Sequence, residues 1–267
     1  MAMARVLQKS KIPMISPSST NPGVTRVGDY IFRVCFDDKF QGRVMADFAA
    51  DYLDAATAVV MTNINSKYST GLADCVISRF REKGKILWEA DYPQNTIDFT
   101  LYLEKIKLLN PDVAFVPDHY RESAYIIKQA GKMGLKLSFI GGDGWLTQMY
   151  RYGGDYIDGN FYVAQWHDES PDEVSRAFVK RYGKKYGRAN EPAIALTYDA
   201  VTLLVWAVER AASLDPEKIR NALAATKKFR GVTGYITFDE NGDPIDKPAV
   251  ILRFENNDSV YFKTVGP

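Results

Sequence analysis

Histidine and cysteine are scarce in this chain, with two of each among 267 residues. With only His119 and His167, a Ser-His-Asp triad has few ways to assemble, and no GxSxG elbow, HExxH pair, P-loop or paired-cysteine motif is present. GGDGWLT lacks both the GxGxxG spacing and the later acidic residue of a dinucleotide fingerprint. These absences argue against an enzyme and offer no cofactor and no metal site. Cys35 and Cys75 stand far apart, and a chain of this length buries an adequate core without disulfides, so both are expected to be small buried apolar residues. An excess of one charge sign is also missing. The 34 Lys and Arg against 33 Asp and Glu leave a net +1, with no basic run to create the long-range field that gathers phosphates, so nucleic acid is not an expected partner. No uninterrupted apolar stretch approaches the ~20 residues of a membrane span. The opening MAMARVLQKSKIP places apolar residues before basic ones, the wrong order for a signal peptide.

What is present is alternation. The strands IPMISP and YIFRVCF come first, then a helix from about Lys39 to Ala55 with Val44, Phe48 and Tyr52 at fourfold spacing. ATAVVMTNI reads as a strand, and Ser69 to Lys83 as a helix with Leu72, Val76 and Phe80 on one face and Gly84 as its stop. KILWEADYP, the helix DFTLYLEKIKLL, the strand VAFVPD, a helix from Tyr120 to Lys132 and the strand LSFIGGD follow. Strand and helix in turn, with short connections, predict an α/β fold whose parallel sheet is covered on both faces. In such sheets a ligand lies outside the carboxyl ends of the strands, which singles out SPSSTNP, NINSKYS, PDHY and GGDGW. After Gly159 the order changes. The strand NFYVAQW leads to helices at about Pro171 to Tyr186, Pro192 to Ser213 and Asp215 to Thr226, the second with an apolar stripe of Ala195, Val201, Leu204, Val208 and Ala211. GYITFD, AVILRFE and VYFKTV then read as antiparallel strands joined at the turns DENGDP and NNDS.

In their order along the chain, ISPSSTNP, FDDKFQG, KYSTGLA, DYPQNTIDFTLYLEKIK, YIIKQAGKMGLK, GGDGW, ALTYDAV and GVTGYITFDENGDP resemble the branched-chain amino-acid-binding proteins of ABC transporters. This is the Leu/Ile/Val-binding family of the type I periplasmic-binding-protein fold, and the resemblance covers essentially the whole chain. It implies two α/β lobes with parallel sheets flanked by helices, joined by three crossovers, with a small ligand trapped between them. Lobe one corresponds to 1–36 and 166–236, lobe two to 37–165 and 237–267. In the family SPSSTNP follows the fourth strand of lobe one, so the resemblance implies that the amino-terminal part of that lobe is lacking. Its helices would then have little sheet to cover, leaving an apolar face and an open strand edge that favour self-association. The implied partners are a small amino acid, of the branched-chain type, and the membrane permease of an ABC transporter, and the implied location is periplasmic or extracellular. The same fold also serves as the amino-acid-sensing effector domain of regulators and receptors, which stands as the alternative.

A zwitterionic amino acid needs donors for its carboxylate, acceptors for its ammonium and an apolar pocket. By resemblance, Ser18, Ser19 and Thr20 hold the carboxylate, although from the residues alone SPSSTNP also reads as an ordinary hydroxyl turn or helix cap. Asp143 matches the family's acidic position for the ammonium, and its plain reading is an acidic turn residue. Asp38 matches a second acidic position, with Asp37 beside it expected to be solvated. Tyr68 and Tyr120 fall where the family places aromatic residues that close over the ligand, and each also reads as a half-buried tyrosine at a helix start. His119 faces either cleft or solvent, and Trp145 is expected to be a buried anchor. Relatives often carry a glycine and aromatic-rich turn where this chain has PDHYRE.

Overall fold

The computed structural model describes residues 1–267. The chain opens with α1 (Ala2–Lys9), β1 (Met14–Ser16) and β2 (Ile31–Arg33), then alternates through α2 (Asp38–Asp51), β3 (Thr57–Asn63), α3 (Lys67–Phe80), β4 (Lys85–Tyr92), α4 (Thr100–Leu109), β5 (Val113–Phe115), α5 (Tyr120–Lys132) and β6 (Ser138–Gly141). A short α6 (Met149–Gly153) precedes β7 (Phe161–Ala164). Three consecutive helices follow, α7 (Glu173–Tyr186), α8 (Pro192–Ala211) and α9 (Pro216–Ala224), and then β8 (Phe229–Gly231), β9 (Gly234–Ile236), β10 (Ala249–Glu255) and β11 (Asp258–Val265). Two compact units share this chain: residues 1–37, 165–250 and 264–267 form the first, and 38–164 with 251–263 the second.

The second unit is built on a seven-stranded sheet in the order β11-β10-β7-β6-β5-β3-β4. β3 pairs in parallel with both β4 and β5, and β5 to β7 continue in parallel, so strand order reverses direction at β3. That reversal opens a crevice at the carboxyl ends of β3 and β5. Local chemistry sets the helix ends. The Ser66 hydroxyl accepts the N–H of Ser69 and caps α3, while α4 stops at Asn110, left-handed at φ 47, just before Pro111. α2 and α3 meet at Gly42, where a β carbon would lie 2.6 Å from Cβ of Cys75. Only glycine allows this approach. The turn Asn256-Asn257, both with positive φ, closes a two-residue hairpin between β10 and β11.

In the first unit β1 and β2 form a two-stranded parallel sheet in the register Met14 to Ile31, and β8 and β9 an antiparallel pair. GYITFD thus pairs back onto residues 229–231, a strand absent from the expectation, and forms no part of the large sheet. Helices α8 and α9 close over the core of Phe32, Val34, Leu196, Leu203, Leu223, Ile236 and Phe238. The buried face of α8 carries Leu196, Asp199, Ala200, Leu203 and Ala207. Of the expected stripe, Val201 is 55% and Leu204 39% exposed. This helix is apolar nearly all round, so periodicity alone does not select its inner face. Residues 237–250 pack with the first unit, whereas the sequence reading grouped them with the second. Two buried charged contacts hold them there, from Asp243 to Arg33 and from Lys247 to Asp199. No disulfide joins the cysteines; Cys35 is buried as expected and Cys75 only half-buried.

Candidate functional site

The carboxyl edge of the second unit's sheet gathers polar side chains from four successive connections. Asn63 ends β3, Tyr92 ends β4, Asp118 lies just beyond β5 and Asp143 just beyond β6. Across the switch point Asn63 Nδ2 donates to Asp118 Oδ2 at 3.1 Å, and the Tyr92 hydroxyl donates to the same oxygen at 2.7 Å. Asp118 is fully buried, and burial raises its carboxyl above the ordinary range.

Nearer the start of α3, the Tyr68 hydroxyl donates to Asp143 Oδ1 at 2.9 Å and accepts the N–H of Gly144 at 2.9 Å. Burial, and then the charge of Asp143, push the Tyr68 phenol well above its usual value, with Asp38 adding in the same direction. Tyr68 therefore stays a neutral donor at any physiological pH. His119 stacks on the Tyr68 ring with centroids 5.0 Å apart, and the Gln41 amide carbon lies 3.1 Å from the position a β carbon on Gly142 would take. The cluster brings together two carboxylates, Asp143, which accepts the Tyr68 hydroxyl, and Asp38, buried close enough to act on the same phenol. It is suited to a cation such as an ammonium group.

In the first unit, β1 runs into SPSSTNP. Ser16 Oγ accepts the N–H of Ser19 at 3.1 Å, and Asn21 Oδ1 accepts the N–H of Gly23 at 2.9 Å, so the loop is built from a hydroxyl turn and an Asx turn. Arg33, fully buried at the end of β2, donates Nη1 to the carbonyls of Ser19 at 2.9 Å and Asn21 at 3.0 Å. Thr20 is buried, and neither its N–H nor its hydroxyl is engaged by another group of the chain.

A family model described as periplasmic binding protein matches residues 1–259. The chain belongs to the periplasmic binding protein family. Leu/Ile/Val-binding protein homolog 1 of Brucella abortus is 30% identical over 257 residues, which is 94% of this chain and 68% of that protein. Among solved structures, the leucine binding protein LivK of Thermotoga maritima superposes with a TM-score of 0.95 at 35% identity, over 100% of this chain and 76% of that one. The branched-chain amino acid transporter substrate binding protein LivJ of Streptococcus pneumoniae, in complex with isoleucine, gives 0.90 at 29% identity with the same coverage of each chain. These likenesses agree with the family and the α/β fold implied by the sequence motifs.

Among the residues singled out from the sequence, Tyr68, Asp143 and Asp38 come together in one cluster of the second unit. Ser18, Ser19 and Thr20 share one loop of the first unit. The Tyr120 ring lies 6.1 Å from that of Tyr152, while His119, one residue earlier, stacks on Tyr68. His119 is the extended N-cap of α5, at φ −73 and ψ 161, and Tyr120 its first helical residue, so the two neighbours do not share a face. Trp145 is the buried anchor expected, with its ring against Gly141 and stacked on Phe254. Sequence reasoning did not single out Asn63, Tyr92, Asp118, Gln41 or Arg33. Asn63 and Asp118 lie in the candidate loops NINSKYS and PDHY, Tyr92 in the strand KILWEADYP that was not among the candidate places, and Gln41 and Arg33 belong to the quoted stretches FDDKFQG and YIFRVCF.

Proposed function

We propose that the chain is the solute-binding component of an ABC importer and captures a small amino acid, of the branched-chain type. An α-amino acid has two charged ends of opposite sign, and each unit carries the complement of one. In the second unit the Asp143 carboxylate, held by Tyr68, is the complement of an ammonium; in the first, the hydroxyls of Ser18, Ser19 and Thr20 and the N–H of Thr20 are the complement of a carboxylate. The observation that carries the reading is the Tyr68–Asp143–Gly144 arrangement, in which one phenol orients a carboxylate and its backbone at the carboxyl edge of the sheet. Membership of the family supports a membrane permease as the partner and a periplasmic or extracellular location. Self-association through the first unit is part of the same proposal, supported by the exposed Val201, Leu204 and Val205 of α8.

Isothermal calorimetry against leucine, isoleucine, valine and a panel of polar and aromatic amino acids tests it. An aliphatic amino acid binds best, and Asp143→Ala abolishes the signal. Binding that survives Asp143→Ala, or no binding across the panel, defeats the proposal.

A further inference from the structure

The mechanism of the SPSSTNP loop lies one layer beneath it. All three nitrogens of the Arg33 guanidinium are engaged. Nε meets Asp243 Oδ1 at 2.5 Å, Nη1 meets the carbonyls of Ser19 and Asn21 at 2.9 and 3.0 Å, and Nη2 meets Thr25 Oγ1 at 3.1 Å. The Thr25 hydroxyl in turn donates to Asp243 Oδ1 at 2.8 Å. Asp243 is itself fixed: its N–H donates to Asp239 Oδ1 at 2.9 Å, and the Arg33 N–H donates to the Gly242 carbonyl at 3.1 Å. The guanidinium is therefore held by Asp243 and Thr25 as well as by the loop carbonyls.

We infer that Arg33 is a positioning residue for anion binding, which aims the Thr20 N–H at a ligand carboxylate by holding the carbonyl of Ser19. A peptide unit is planar and trans here, so its C=O and N–H point in opposite directions. With the Ser19 carbonyl turned to Arg33, the Thr20 N–H of the same peptide points away from the guanidinium. The second captured carbonyl, that of Asn21, precedes Pro22, which has no N–H, so only the first capture creates a directed donor. A cation on the carbonyl side also polarises the peptide and strengthens its N–H as a donor. Thr20 carries its hydroxyl beside that N–H, and neither is engaged within the chain. Arg33 never touches the ligand; it sets the direction and strength of a group that does. The inference rests on the proposed function above.

The test compares whichever of leucine, isoleucine or valine binds best with that amino acid's amide, which keeps the ammonium and side chain but lacks the carboxylate charge. Binding is measured by calorimetry, and the Thr20 amide is followed by ¹H–¹⁵N NMR. In the wild type the Thr20 amide proton moves downfield on binding the amino acid. In Arg33→Met affinity for the amino acid falls at least tenfold and the Thr20 shift is lost, while affinity for the amide changes less than threefold. Arg33→Lys, which reaches one carbonyl, recovers part of both signals. Equal losses for acid and amide, or an unchanged Thr20 shift in Arg33→Met, overturn the inference and leave the proposed function standing. If Arg33→Met does not fold, Arg33→Lys and Asp243→Asn are read by the same two signals. A wild-type Thr20 amide that does not respond to a bound amino acid overturns the inference regardless of the variants, and a wild type that binds no amino acid overturns both.

Discussion

Tyr68 and Asp143 lie 75 residues apart and share a hydrogen bond of 2.9 Å, with the Tyr68 oxygen also accepting the N–H of Gly144. One phenol thus orients both the carboxylate and the backbone that carries it. A hydrogen bond to a charged group contributes roughly 1.5–3 kcal/mol. Tyr68→Phe is expected to keep the fold and weaken amino-acid binding about 10- to 100-fold. Unchanged affinity by calorimetry would remove Tyr68 from the site.

Gly142 makes room for that phenol. A β carbon there would lie 2.7 Å from the Tyr68 hydroxyl and 2.7 Å from Cδ2 of Leu72. Gly142→Ala is expected to push Tyr68 out of line and lower affinity about tenfold, the equivalent of one displaced hydrogen bond. The observation to set against it is a thermal melt that falls while affinity is retained, which would place the strain on Leu72 instead.

Lys247 is 3% exposed, lies 3.7 Å from Asp199 and donates to the Thr233 hydroxyl. Burial lowers its ammonium from 10.5 to about 8. Above pH 8 the unfolded chain binds more protons at this residue than the folded one, so stability rises with pH and is lost as pH falls through 8. Between pH 8 and about 9.5 the gain is on the order of 1 kcal/mol, read by urea denaturation. The Tyr68 and Tyr92 phenols, raised well above 10 by burial, oppose the trend only at higher pH. Lys247→Met should flatten the slope while Asp199 keeps the N–H groups of Val232 and Thr233 at 2.6 and 2.9 Å. The same slope in both proteins would assign it to another group.

The outer face of α8 exposes Val201, Leu204 and Val205 at 55, 39 and 52%. Apolar surface grouped on one helix face favours contact with a second copy. Light scattering should give a mass above that of one chain, and Val201→Lys with Val205→Glu should lower it without changing the helix signal. A single-chain mass for the unaltered protein, independent of concentration, contradicts self-association.

Short-range patterns were legible in the sequence. Tyr120–Lys132 and Ala249–Glu255 are helix and strand over the residues expected, because each carries its own period and its own stops. Less legible was whatever depends on distant partners. The inner face of α8 is selected by Asp199, whose carboxylate accepts N–H groups from residues 33 and 34 positions further on. The placement of 237–250 follows from Arg33, and no local pattern records a contact of that span. At the site, Asp143 and Tyr68 were singled out through the family resemblance, since by residue type alone each reads as an ordinary turn or helix-start residue, and the hydrogen bond between them is a contact no local pattern records. Arg33, buried behind the loop whose carbonyls it holds, resembled an ordinary strand residue, and Asp118 lay in the candidate loop PDHY with nothing local to separate it from its neighbours. His119 and Tyr120 were separable only by the direction each side chain takes at the start of α5.

The ion pair between Arg33 and Asp243 spans 210 positions, and this has a bearing on biosynthesis. At roughly 5–20 residues per second, the guanidinium emerges about 10–40 seconds before its carboxylate is made. During that interval the loop at residues 17–22 exists as a chain segment without its support. Protease sensitivity of that loop, compared between nascent chains halted before and after the 239–243 turn has emerged, reports when it becomes rigid. Early sensitivity followed by late protection would mean that the loop becomes competent only after a segment made 210 positions later has joined it.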